Sequence, residues 1–290
     1  MDRFSAHSVD HSHQERDPEL TGGAAKRRQV LAARPGHSST WRAPMRRLLR
    51  VEALLFVRDL PSAVFALIVP ALILLGAGLA IPGMRETLTG GQLDGLTMIQ
   101  VYTPAVLTMA LATPALSTLP VMVANYREHG VLRRLSTTPA RPGAVLAAQV
   151  VINLAAFVVA AALAVLLATV VFAAPLPRQT LTAAIALLAG ALAMFGLGML
   201  VAARARTGSA AAAVGMLLYF PLLFLAGMWT PGPLMPDLAR QIATYTPLGA
   251  TSQALAAAWF DTGFPALQVT VLIAWTALLY PLAARTFRWT

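Results

Sequence analysis

Two stretches of this chain, residues 95–126 and 142–177, run for 32 and 36 residues without a single Asp, Glu, Lys or Arg. A helix crosses a hydrocarbon core of about 30 Å with roughly 20 residues at 1.5 Å each, so either stretch is long enough to span a bilayer. A helix also satisfies its backbone N–H and C=O groups internally, as lipid demands. Charge is scarce elsewhere too: 12% of the 290 residues are charged and 57% are apolar, against roughly 25% and 45–50% in ordinary soluble domains. So few charges cannot cover a soluble surface, and the chain reads as an all-α integral membrane protein.

Six transmembrane helices are expected near residues 62–82, 98–124, 145–173, 180–203, 209–229 and 266–284, all with interiors free of Asp, Glu, Lys and Arg. Pro70, Pro104, Pro114, Pro120, Pro221 and Pro281 fall inside them as expected kinks. Gly190, Gly196, Gly198, Ala211 and Gly215 supply small side chains where helices can approach closely. Ahead of the spans, residues 41–60 carry Met45, Leu48, Leu49, Leu55 and Phe56 at helical spacing, with Arg42, Arg46, Arg47, Arg50 and Arg58 on other faces. Each such charge costs about 2.5–3.5 kcal/mol at the bilayer centre, so this amphipathic helix is expected to lie along the headgroups. Residues 1–40 are polar, without helical period, and read as a disordered cytoplasmic tail rather than a secretory signal.

Outside that tail, thirteen arginines fall on one side of the spans, and only Arg85, Arg178 and Arg240 on the other. The positive-inside rule then puts both termini in the cytoplasm and makes residues 126–143 the first cytoplasmic loop. The formal charge of +10 is thus explained by topology, not by nucleic acid, since the arginines flank apolar spans instead of interleaving with aromatics on a soluble face.

Several chemistries are disfavoured. With no cysteine there is no disulfide framework, thiolate metal site or Cys nucleophile. The spans offer no carboxylate or His to hold a coupling ion or to serve an intramembrane hydrolase, so secondary transport and catalysis both lack their groups. Gln100, Gln149 and Asn153 are expected to hydrogen-bond across helices. His7, His11 and His13 belong to the tail and are not expected to bind metal. The sole lysine, Lys26, is followed by Arg27 and fits no phosphate-binding loop, so any ATP must be used by another polypeptide.

The loop at 126–143 spends eighteen residues where a turn needs about four or five. Val131, Leu132 and Leu135 make an apolar ridge, Arg133 and Arg134 lie elsewhere, and Thr138-Pro139 stops the helix. Such a segment suits a short helix seated in another protein's groove. The pattern Glu128-x-Gly130-x-Leu132-x-x-Leu135-x-x-Thr138-Pro139 resembles the cytoplasmic loop of the ABC type-2 permeases, the membrane subunits of bacterial exporters for drugs, antibiotics and polysaccharides. Val131 stands where many members have Thr. A second match, AGMWTPGPLMPDLARQIATYTPLGATSQAL at residues 226–255, with Gly227, Pro231, Pro236 and Pro247-Leu248, resembles the family's external segment between the fifth and sixth spans.

The resemblance covers residues 41–290 and implies a six-span domain preceded by an interfacial helix, with an external re-entrant segment at 230–265 acting as a lid over the exit. It makes the loop a coupling helix, with Arg127, Glu128, Gly130, Leu132, Arg133, Arg134, Leu135, Thr138 and Pro139 meeting a cytoplasmic ATPase. It implies two permease chains, identical or different, served by two ATPase copies in a bacterial plasma membrane. It sets the substrate path along the second and fifth spans, where Met109 and Thr113 share one face and Phe220 and Phe224 another. The cargo expected is lipophilic or amphiphilic, with no catalytic residue, cofactor or metal in the chain. An ion-coupled drug carrier and a membrane scaffold recruiting a cytoplasmic partner are the rival readings.

Overall fold

The computed structural model describes residues 42–90, 93–131, 142–230, 234–261 and 263–286. Among these residues the regular structure is helical, apart from one isolated bridge between Thr87 and Thr97. In chain order the helices are α1 (Arg42–Arg58), α2 (Leu60–Leu67), α3 (Val69–Ala80), α4 (Met98–Ala112), α5 (Leu119–Glu128), α6 (Pro142–Phe172), α7 (Thr180–Arg204), α8 (Gly208–Leu225), α9 (Asp237–Thr244), α10 (Pro247–Phe260) and α11 (Ala266–Thr286). A π-helical segment, Thr113–Thr118, joins α4 to α5.

Among the described residues, five helical stretches are long and apolar enough to cross a membrane: Met98–Glu128, Val145–Phe172, Thr180–Arg204, Gly208–Leu225 and Ala266–Thr286. The first expected span, at 62–82, is instead divided between α2 and α3. Pro70 has no N–H to give the preceding turn, and the helix breaks at Ile68, leaving α3 with 12 residues.

The stretch Met98–Glu128 is the centre of the bundle, with 83% of its most apolar window buried against 22–50% in the other four. Its geometry follows from its prolines. The Leu119 N–H reaches back five residues to the Pro114 carbonyl, and Pro120 has no N–H at all, so neither is available to the Ala115 carbonyl. Gly198 of α7 lies against that carbonyl and Gly215 of α8 against the carbonyl of Leu116, where a Cβ would strike backbone oxygen. Both helices therefore close onto the π segment through bare Cα atoms.

At the end of the bundle where α4 starts, α6 stops at Ala173, which adopts a left-handed φ of 51°. Gln100 Nε2 donates to the freed Phe172 and Ala173 carbonyls at 3.0 and 3.2 Å. Two prolines of 226–255 stand at helix starts: Pro236 precedes α9 and Pro247 opens α10 behind the N-cap Thr246. Helix α10 is buried through Leu248, Ala250, Ala254, Leu255 and Ala258 and packs on α7 and α11. Trp259 Nε1, Arg178 and Gln179 donate to the Pro175, Phe260 and Asp261 carbonyls and close this end.

Helix α1 turns an unusual face inward. Leu54, Leu55 and Val57 are exposed while Glu52 is only 5% exposed, an apolar-outward arrangement that suits a helix lying in lipid headgroups.

Candidate functional site

At the end opposite α9 and α10, three segments distant in sequence are held by buried polar groups. Glu52 Oε2 accepts from the Tyr126 hydroxyl at 2.7 Å and from Gln149 Nε2 at 2.5 Å. The Tyr126 oxygen also accepts from Gln149 Nε2 at 3.2 Å. Tyr126 ends the stretch before the 126–143 loop and Gln149 stands near the start of the helix after it, so α1 is fastened to both stems of the loop. Asn153, one turn beyond Gln149 and fully buried, donates Nδ2 to the Gln149 carbonyl at 2.9 Å.

The next residues reach the turn between α7 and α8. Arg127 Nη1 donates to the Ala205 carbonyl at 2.7 Å, and the Gly208 N–H donates to Glu128 Oε2 at 2.9 Å. Gly130 has φ +66°, a conformation open to glycine with little strain, and it turns the chain off the end of α5. Leu132, Arg133, Arg134, Leu135, Thr138 and Pro139 lie outside the described residues. Of the nine residues expected to meet an ATPase, Arg127, Glu128 and Gly130 are thus placed. The first two have side-chain bonds directed at the α7–α8 turn.

The four residues expected along a substrate path divide differently. Met109 and Phe220 line a groove of about 850 Å³ bounded by α2 and α3, α4, and α8, together with Tyr102, Tyr219, Met228 and Trp229. Thr113 is fully buried behind it, with its hydroxyl 2.9 Å from that of Tyr219 and donating to the Met109 carbonyl at 2.8 Å. Phe224 is 41% exposed and is not among the groove's lining residues. Tyr219 meets Phe220 edge to face with centroids 5.6 Å apart, and Trp229 lies 6.4 Å beyond Phe220. Tyr102 donates to the Met228 carbonyl at 2.6 Å. Among the described residues, none that lines the groove is Asp, Glu, Lys, Arg or His.

Tyr102, Tyr219 and Trp229 were not legible as groove residues, although a phenol inside an apolar span signals a hydrogen-bond partner nearby. Glu52 carries no sequence signal beyond being an acid among the arginines of the amphipathic segment 41–60. Among the described residues no group of three or more His, Cys, Asp or Glu side chains gathers as a metal site.

No curated protein matches the chain. The sequence profile of the ABC-2 type transporter family matches residues 45–260, which include α2 to α10, the Glu52–Tyr126–Gln149 cluster, the contacts of Arg127 and Glu128 with the α7–α8 turn, and the groove. The chain therefore belongs to the ABC-2 type transporter family, as a multi-pass membrane permease component of an ABC transporter.

Proposed function

We propose that this permease is the membrane half of an exporter in a bacterial plasma membrane, paired with a second permease chain and driven by two copies of a separate cytoplasmic ATPase. Its cargo is lipophilic or amphiphilic. The observation that carries this reading is the groove itself: about 850 Å³ of space walled by Met, Phe, Tyr, Trp and aliphatic side chains, with no charged residue to bind an ion or neutralise an ionic cargo. Met109 and Phe220 contact the cargo there, and Thr113 acts through Tyr219 to hold the wall in place.

The ATPase docks on the 126–143 loop, with Leu132 and Leu135 as its apolar contacts and Arg133, Arg134, Thr138 and Pro139 among the residues it meets. Arg127, Arg204 and Arg206 stand at this end of the bundle and Arg85, Arg178 and Arg240 at the other, which supports a cytoplasmic loop and cytoplasmic termini. Nucleotide drives the cycle only by its differential affinity for the two permease states. The segment at 230–265, with α9 and α10, covers the exit.

Co-purification tests the docking. Leu135→Asp is expected to leave the chain membrane-inserted and to release the ATPase; full retention of the ATPase and of transport by this variant would falsify the docking assignment. Transport that stops when a proton gradient is dissipated but survives ATP depletion would favour an ion-coupled carrier. A loop that binds a partner in vesicles that move no solute would favour a scaffold.

A further inference from the structure

The last turn of α5 is keyed to the turn between α7 and α8 by two hydrogen bonds. Arg127 Nη1 bonds the Ala205 carbonyl, and Glu128 Oε2 takes the first N–H of α8, that of Gly208, across a sequence separation of 80 residues. The space a Cβ would fill on Gly208 is occupied by Asn125 Oδ1. The first amides of a helix have no partner within it, and a carboxylate there gains from both the free N–H and the positive end of the helix dipole. Helix α8 already has a local cap, Thr207 Oγ1 accepting from Ala210 N–H at 3.1 Å. The carboxylate from α5 is therefore a second cap, and it is supplied by the residue that leads into the loop.

Helix α8 has no proline between Gly208 and Phe220, so its first thirteen residues form a continuous helical rod of about 20 Å at 1.5 Å per residue. At the far end of that rod stand Tyr219 and Phe220, in the wall of the groove. We infer that Glu128 is a positioning residue that couples the 126–143 loop directly to α8: a displacement of the loop pulls the α8 N-terminus through the Glu128–Gly208 bond and so moves the groove wall. This link rests on the reading of the loop as the site where an ATPase acts. It adds a route from that site to the cargo that bypasses the covalent path through the central π-segmented span.

Proline at the first position of a helix lacks only an N–H and keeps helical φ, and Thr207 before it is already extended, at φ −129° and ψ 158°. Gly208→Pro in an Asn125→Ala background therefore deletes the donor and pushes the Glu128 carboxylate off the α8 N-terminus, since the proline ring takes the place of the N–H that faced it, while the sequence of Glu128 and the loop is unchanged. In the ATPase–permease complex reconstituted in vesicles, Asn125→Ala alone is expected to transport as the unaltered chain does. The double variant is expected to keep the ATPase bound and hydrolysing, with transport per ATP reduced at least tenfold. Undiminished transport per ATP in the double variant would overturn the link while leaving ATPase docking intact.

A second measurement does not depend on how the double variant folds. In the unaltered complex, trapping the nucleotide-bound state is expected to change hydrogen exchange at residues 208–212; in Glu128→Leu that change is expected to vanish while the change at 126–143 persists. Exchange at 208–212 that ignores nucleotide in the unaltered complex would overturn the link. Failure of any ATPase to bind the unaltered chain would overturn both the link and the reading beneath it.

Discussion

Glu52→Ala should loosen the fastening of α1 by an amount the geometry lets us work out. The carboxylate accepts two bonds, from Tyr126 and Gln149, in a site only 5% exposed. Removing it strands two donors, but these two groups lie 3.2 Å apart and can satisfy each other in part, leaving about one buried donor without an acceptor. That costs about 1–3 kcal/mol. The space left by the missing carboxyl group adds a cavity term of about 1 kcal/mol. Relief from burying the charge works in the other direction. A net loss of about 1–3 kcal/mol follows, near 2–10 °C in melting temperature for a chain of this size. The decisive assay is a double-mutant cycle of Glu52→Ala with Tyr126→Phe, read by thermal or denaturant unfolding of the purified protein in detergent. A coupling energy of about 1–3 kcal/mol is expected. Coupling within about 0.5 kcal/mol of zero would refute the fastening as a contributor to stability.

Gly215→Val should lower the melting temperature and the yield of inserted protein, because its Cβ meets the Leu116 backbone carbonyl, which cannot rotate away; overpacking of this kind costs about 1–3 kcal/mol or more. Gly76→Ala, with open space around it, should leave both unchanged in the same melts. Phe220→Ala should change the stimulation of ATP hydrolysis by lipophilic compounds with a melting shift under a few degrees, since the ring is 55% exposed; identical stimulation across a panel of compounds would remove it from the path. Tyr219→Phe should cost about 1 kcal/mol by deleting the bond to Thr113, measured by unfolding and absent in a Thr113→Val background.

Much of the fold was legible because the bilayer leaves few alternatives. Helix α7 occupies 180–204 where uncharged sequence predicts 180–203, and Arg204 with Arg206 marks where it ends. What the sequence left hidden depends on neighbours rather than on hydropathy. Pro114 and Pro120 announce a kink, but a π segment rather than a simple bend follows from which carbonyl the Leu119 N–H finds. Helix α10 is 14 residues long, too short to signal a span, and its burial comes from α7 and α11 rather than from its own pattern. Glu52 finds its partners 74 and 97 residues away, so nothing local distinguishes it from Glu86, which is exposed. Phe220 and Phe224 share a helical face by spacing, yet only Phe220 lines the groove, because Trp229 folds back beside it after α8 ends.

The most direct test of a permease that depends on a partner for its energy is reconstitution of the purified chain into liposomes, with and without a cognate ABC ATPase and ATP. Accumulation of a lipophilic cargo against its gradient only when both ATPase and ATP are present is the predicted result. Uphill movement by the chain alone, with no nucleotide-hydrolysing protein in the vesicles, would contradict the account.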